Sequence, residues 1–181
     1  MKRILVLVMC ICVSLSFVAC GNSDNSAQPT QENGAEQQQE QTGGTMFDHK
    51  YVSGETFDGW NFVPDAKNDI FVSISNQTYT KFIMMKFEWQ NTTDPQKQTE
   101  KFIKDYPDMK PTPAEKVTYG ENEYWKTVYV NAGYTNIQLI TQKGEILETV
   151  TIQGTDETDP TVIKTLNTLK FKAVKLEDLG K

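Results

Sequence analysis

Between residues 123 and 153 apolar and polar side chains alternate, and the alternation breaks at Ala132-Gly133 and Lys143-Gly144. A repeat of two is that of an extended strand, whose successive side chains leave opposite faces. Each break holds a glycine, the residue that tight hairpin turns favour. The stretch therefore predicts three consecutive antiparallel strands, at 123–132, 134–142 and 145–153. A sheet with one apolar face must bury that face against a second layer, so this meander constrains the rest of the chain.

Reading both breaks as two-residue turns pairs Asn131 with Tyr134 and Gln142 with Glu145, and the faces follow. One face collects Tyr124, Val128, Val130, Ile137, Leu139, Ile146, Val150 and Ile152 and reads as core. The other carries Thr127, Asn131, Asn136, Gln138, Thr149 and Thr151. It is polar except for one row of Trp125, Ile140 and Leu147, with Tyr129 and Tyr134 nearby. An apolar row on a polar face is either a ligand platform or the seat of a helix. Trp125, Tyr129, Tyr134, Ile140 and Leu147 are thus the candidate ligand or partner surface. Two charges point toward the core: in this register Lys126 and Glu148 both lie opposite Leu139. Either they form a buried pair with shifted pKa values, or both reach past the covering helix to solvent.

Two segments open with the same device. Asp94-Pro95 and Asp159-Pro160 each place an N-cap acceptor before a proline at the first helical position. They predict helices to about Tyr106 and Leu169. The second carries Val162, Ile163, Leu166 and Leu169 on one stripe, a natural cover for the core face. The first has the thinner stripe Phe102, Ile103 and Tyr106. Further strands are expected at 56–63, 69–75 and 114–119. Residues 80–89 are apolar on both sides, which predicts a central strand covered on both faces. Trp60 and Trp89 are expected in the core. The fold class is α+β: an antiparallel β-sheet with two helices packed on it, in a single domain at 46–181.

The N-terminus reads as an address. Lys2 and Arg3 precede an apolar run at 4–18, 15 residues interrupted by Ser14 and Ser16. That is short of the about 20 a spanning helix needs, and it suits a signal peptide. The run ends in Phe17-Val18-Ala19-Cys20-Gly21, which resembles a bacterial lipobox, with Phe17 where leucine is usual. The resemblance implies cleavage before Cys20 and acylation of its thiol. Cys10 and Cys12 would leave with the signal, so the folded part would hold no disulfide, cysteine nucleophile or cysteine metal cluster. Residues 21–45 carry Ala27 and Ala35 as their only apolar side chains beside Gln, Asn, Ser and Gly. Such a segment cannot offset its chain entropy by burial and reads as a disordered tether. The expected location is the bacterial membrane, facing outside the cytoplasm, with the membrane contacted through the N-terminal lipid.

Charge narrows function further. The chain carries a net charge of −6, and its one arginine is Arg3. A nucleic-acid partner needs a basic surface, so none is expected. His49 is the single histidine, too few for a histidine metal site. No phosphate loop or Gly-x-Ser-x-Gly elbow is present, and no cofactor is expected.

Residues 134–141 (YTNIQLIT) followed by 163–171 (IKTLNTLKF) resemble the end of PsbP-like domains. That family includes a photosystem II extrinsic subunit and small bacterial lipoproteins. The resemblance implies an antiparallel sheet between helices, and binding or assembly rather than catalysis. No ligand motif is shared, so no residue role is carried over. The functional expectation is a membrane-anchored lipoprotein with a non-catalytic domain that binds an envelope partner or a small ligand. The alternative is an accessory subunit of an envelope complex.

Overall fold

A computed structural model describes residues 43–90 and 92–180. The signal segment, Cys20 and nearly all of the tether lie outside the described residues. The elements run β1 (Thr45–Asp48), β2 (Val52–Thr56), β3 (Asn61–Pro64), β4 (Phe71–Ser75), β5 (Phe82–Glu88), α1 (Pro95–Asp105), β6 (Glu115–Tyr119), β7 (Asn122–Asn131), β8 (Tyr134–Lys143), β9 (Ile146–Gln153), α2 (Pro160–Thr168) and β10 (Lys170–Phe171). Neither helix is long and apolar enough to cross a membrane.

The meander forms as its alternation predicts. It is the heart of a seven-stranded antiparallel sheet in the order β3-β4-β5-β9-β8-β7-β6. Asn131 pairs with Tyr134, the expected register. The second hairpin closes one step later: Lys143 pairs with Ile146, and Gly144-Glu145 make the turn. Gly144 has φ +68°, and a Cβ there would lie 2.7 Å from the Val174 carbonyl oxygen, so glycine takes the first turn position. Each partner on β9 moves by an even number of residues. The faces survive, but the rows change.

A second sheet, β1-β2-β10, lies over the core face together with α2. Ile74, Ile83, Met85, Leu139, Val150 and Ile152 from the large sheet meet Val52, Phe171, Val162 and Leu166 from the cover. Aromatic contacts bridge the layers: Tyr51 to Phe87 at 4.9 Å, and Phe171 to both Phe87 and Tyr124 at 6.4 Å. Burying each such side chain contributes about 1.5–3 kcal/mol. Both Asp-Pro caps form. Asp94 accepts from the backbone N–H groups of Gln96 and Lys97 at 3.0 and 3.2 Å. Asp159 accepts from Thr161 N at 3.0 Å and from Lys81 Nζ at 2.9 Å, which ties α2 to the start of β5.

Several expectations need correction. The strand at 56–63 is the end of β2, a turn at Asp58-Gly59 with positive φ at both residues, and then β3. Thr45 opens β1 because it pairs with Thr56, so the first strand begins inside the segment read as tether. β5 is covered on one face only: Ile83, Met85 and Phe87 are buried, while Lys86 on the other face is exposed. Trp60 is buried, but Trp89 follows the end of β5 and is 51 % exposed. Val130 sits near the hairpin tip and is exposed.

Candidate functional site

The outer face of the large sheet is the polar one, and α1 crosses it over β7 and β8. The helix is seated by Thr99, fully buried, and by Phe102, whose ring lies 4.9 Å from Tyr129 and 5.1 Å from Tyr106. Ile140 is 2 % and Leu147 0 % exposed, so neither offers a free surface for a ligand. The row itself is broken by the shifted hairpin: Ile140 faces Thr149, and Leu147 faces Gln142.

What α1 leaves uncovered is a groove of about 480 Å³. Its floor is Asn136, Gln138, Thr149, Thr151 and Gln153 from β8 and β9. One wall is Phe102 and Tyr106 of α1 with Tyr129, and the other is Phe71, Met84, Lys86 and Glu88 from β4 and β5. The only charges in that lining form a pair, Lys86 Nζ to Glu88 Oε2 at 2.5 Å. Burial pushes the Tyr129 phenol pKa up, keeping it a neutral hydroxyl. Gln138 Oε1 is buried and has no hydrogen-bond partner among the described residues. Asn136 Nδ2 donates to the Tyr134 carbonyl at 2.9 Å.

The five residues named from the sequence therefore divide. Tyr129 lines the groove, and Ile140 touches its lining only through a side chain that is almost wholly buried. Trp125 is half-buried and lines a separate recess of about 350 Å³ with Pro95, Lys116 and Gln142. Tyr134 is exposed at the β7–β8 turn, outside both, and Leu147 is buried in neither lining. Sequence reasoning missed the opposite wall, Phe71 and Met84, and took Phe102 and Tyr106 only as a docking stripe. Their spacing of four on one helix face was the available signal.

The two inward charges do not meet. Lys126 faces Leu139 as expected, but Glu148 faces Thr141, two residues further along the same face. Lys126 Nζ instead bonds both oxygens of Glu157 at 2.9 and 3.1 Å and lies 3.2 Å from Glu115. Tyr119 donates to the same Glu157 at 3.0 Å, so the cluster clamps β6 and β7 to the loop before α2. Burial works against the charge on Lys126, and the two carboxylates more than offset it, raising its pKa. Glu148 does not reach solvent either. It is 1 % exposed, and among the described residues neither carboxyl oxygen has a well-aligned hydrogen-bond partner. Burial pushes its pKa up to about 9, against a weaker pull from the backbone amides of Lys143 and Glu148. Glu148 is thus a neutral carboxylic acid at neutral pH.

His49 lies among the rings of Tyr51, Phe62 and Phe87, and burial lowers its pKa. Among the described residues no group of His, Cys, Asp or Glu is arranged to hold a metal ion.

No family model matches the chain, and no curated protein is similar to it. Solved structures are. One is the crystal structure of a protein from Bacteroides thetaiotaomicron, 20 % identical over 71 % of this chain and 47 % of that one, with a TM-score of 0.46. The chain thus spans about half the length of that protein. Another is the solution structure of cyanobacterial PsbP (CyanoP) from Synechocystis, 11 % identical over 70 % of this chain and 91 % of that one, with a TM-score of 0.48. These are likenesses of fold, and no residue role comes from them.

Proposed function

We propose that the chain is a lipid-anchored extracytoplasmic binding module, tethered through Cys20, whose domain holds a small ligand in the groove beside α1. The observation that carries the binding reading is the half-covered polar face, a groove of about 480 Å³ walled by Phe102, Tyr106 and Tyr129. Ligand sites are commonly concave, of about 300–1,000 Å³, with aromatic walls and a few placed polar groups. The lining is amides, hydroxyls and rings with one internally neutralised ion pair, which holds a ligand rather than moving a proton. The anchor reading is supported by the apolar run and the Ala19-Cys20-Gly21 ending.

The test is to record amide chemical shifts of the full chain in detergent micelles as neutral, acidic, basic and apolar fragments are added. Shifts that cluster at Tyr129, Asn136, Gln138 and Thr151 are the expected result. Fragments that bind only elsewhere, or nowhere, would overturn the reading. A role as accessory subunit of an envelope complex is favoured by a different feature, the exposed Val130 and Tyr134 at the tip of the β7–β8 hairpin. It would show as shifts confined to that tip when the partner is added.

A further inference from the structure

We infer that the groove beside α1 takes an uncharged polyhydroxylated ligand, a neutral saccharide, stacked on Tyr106 and hydrogen-bonded by the amides and hydroxyls of β8 and β9. The inference rests on the groove being the ligand site and adds the chemistry of its occupant.

Four observations select that chemistry. First, the floor strands β8 and β9 and the wall strand β5 are interior to the sheet, paired on both sides. No free backbone edge is available, so an extended peptide cannot bind by adding a strand, and recognition falls to side chains. Second, the charges of the lining neutralise each other, Lys86 with Glu88. A phosphate, carboxylate or amine on the ligand would be desolvated without a counter-charge, which disfavours it. Third, the floor carries Asn136, Gln138, Gln153, Thr149 and Thr151 side by side. Each amide both donates and accepts, as does each hydroxyl, matching a ligand whose own hydroxyls do both. An acyl chain would leave these groups desolvated and unpaired, which disfavours it. Fourth, the Tyr106 ring is 49 % exposed at the groove's rim and tilted against Phe102 at 5.1 Å, which holds it in place. The C–H face of a sugar ring carries a weak positive potential, and the face of an aromatic ring a negative one. Amides that read hydroxyls beneath a ring that reads C–H edges are the two halves of such recognition.

The experiment is calorimetric titration of the full chain in detergent micelles with maltohexaose, cellohexaose and N-acetylchitohexaose, and with polygalacturonate and a neutral hexapeptide as contrasts. At least one neutral oligosaccharide is expected to bind with a Kd of about 0.1–1 mM, with the two contrasts at least tenfold weaker. Tyr106→Ala should weaken that binding at least tenfold, and Gln138→Leu by a comparable factor. Tyr79→Ala, an exposed ring on the turn between β4 and β5, should leave it unchanged. If none of the oligosaccharides binds while fragments still shift groove residues, the saccharide assignment fails and the groove reading stands. If polygalacturonate or the peptide binds best, the ligand class is wrong. If Tyr106→Ala binds as tightly as the wild type, the stacking is wrong. If no probe reaches the groove at all, both readings fail together.

Discussion

Glu148 sits between Phe87 and Thr141 in the large sheet and is 1 % exposed. Its folded-state pKa, pushed up to about 9 by burial, stands above the ordinary value of 4.5. Below both values the acid is neutral in either state and costs nothing by ionisation. As pH rises past the lower value the unfolded chain loses the proton and gains stability, while the folded chain keeps it. Stability therefore falls from about pH 4.5 until the folded group titrates at about pH 9, at up to about 1.4 kcal/mol per pH unit. Replacing the acid by an amide of the same shape removes that slope. Glu148→Gln should stabilise the fold by about 3 kcal/mol at neutral pH, measured by urea unfolding, with little effect near pH 4.5. A variant no more stable at neutral pH, or one with the wild-type slope, would show that Glu148 is not held protonated. The sequence gives the inward direction of Glu148, since parity alone sets the face. It does not give the neighbour, because that depends on where the hairpin closes.

At the scale of elements, the hairpins and caps were legible and the covering layer was only half so. Alternation finds β7, β8 and β9, and Asp-Pro finds α1 and α2, because each signal is local and physical. β2 has the sequence VSGET, too poor in apolar side chains to announce a strand, yet it carries the second sheet because β1 and β10 pair with it. Trp89 shows the opposite failure: a large apolar side chain does not by itself make core when the strand has ended. The β7–β8 turn offers a direct test. Ala132 has φ +49°, where a Cβ is strained and glycine is not. Ala132→Gly should raise stability by about 0.5–1 kcal/mol in urea unfolding, and a loss would place the turn in another conformation. Leu147 tests whether the apolar row of the outer face is core or free surface. As a buried side chain its replacement by alanine should cost about 2–5 kcal/mol, whereas a residue of a free ligand surface would cost about 0.5 kcal/mol or less.

At the scale of the molecule, one face of the large sheet carries the second sheet and α2, the other is partly covered by α1, and what α1 leaves open is the groove. Its two walls come from α1 and from β4 and β5, on either side of a floor built by β8 and β9. Alternation in residues 123–153 could show that the floor is polar. It could not show which residues stand beside it, because that follows from strand order rather than from spacing. The anchor is a separate claim with its own test. Cys20→Ala should move the protein from the detergent-rich to the aqueous phase in a phase-partition assay, and an unchanged partition would remove the lipid from the account. Filling the groove separates binding there from binding at any other surface of the fold. Thr151 lines the floor on the outer face, away from the core. Thr151→Trp, followed by the fragment titration on the full chain, should abolish the shifts at Tyr129, Asn136 and Gln138 while changing unfolding stability by about 0.5 kcal/mol or less. The same shifts persisting in the filled variant would contradict the account.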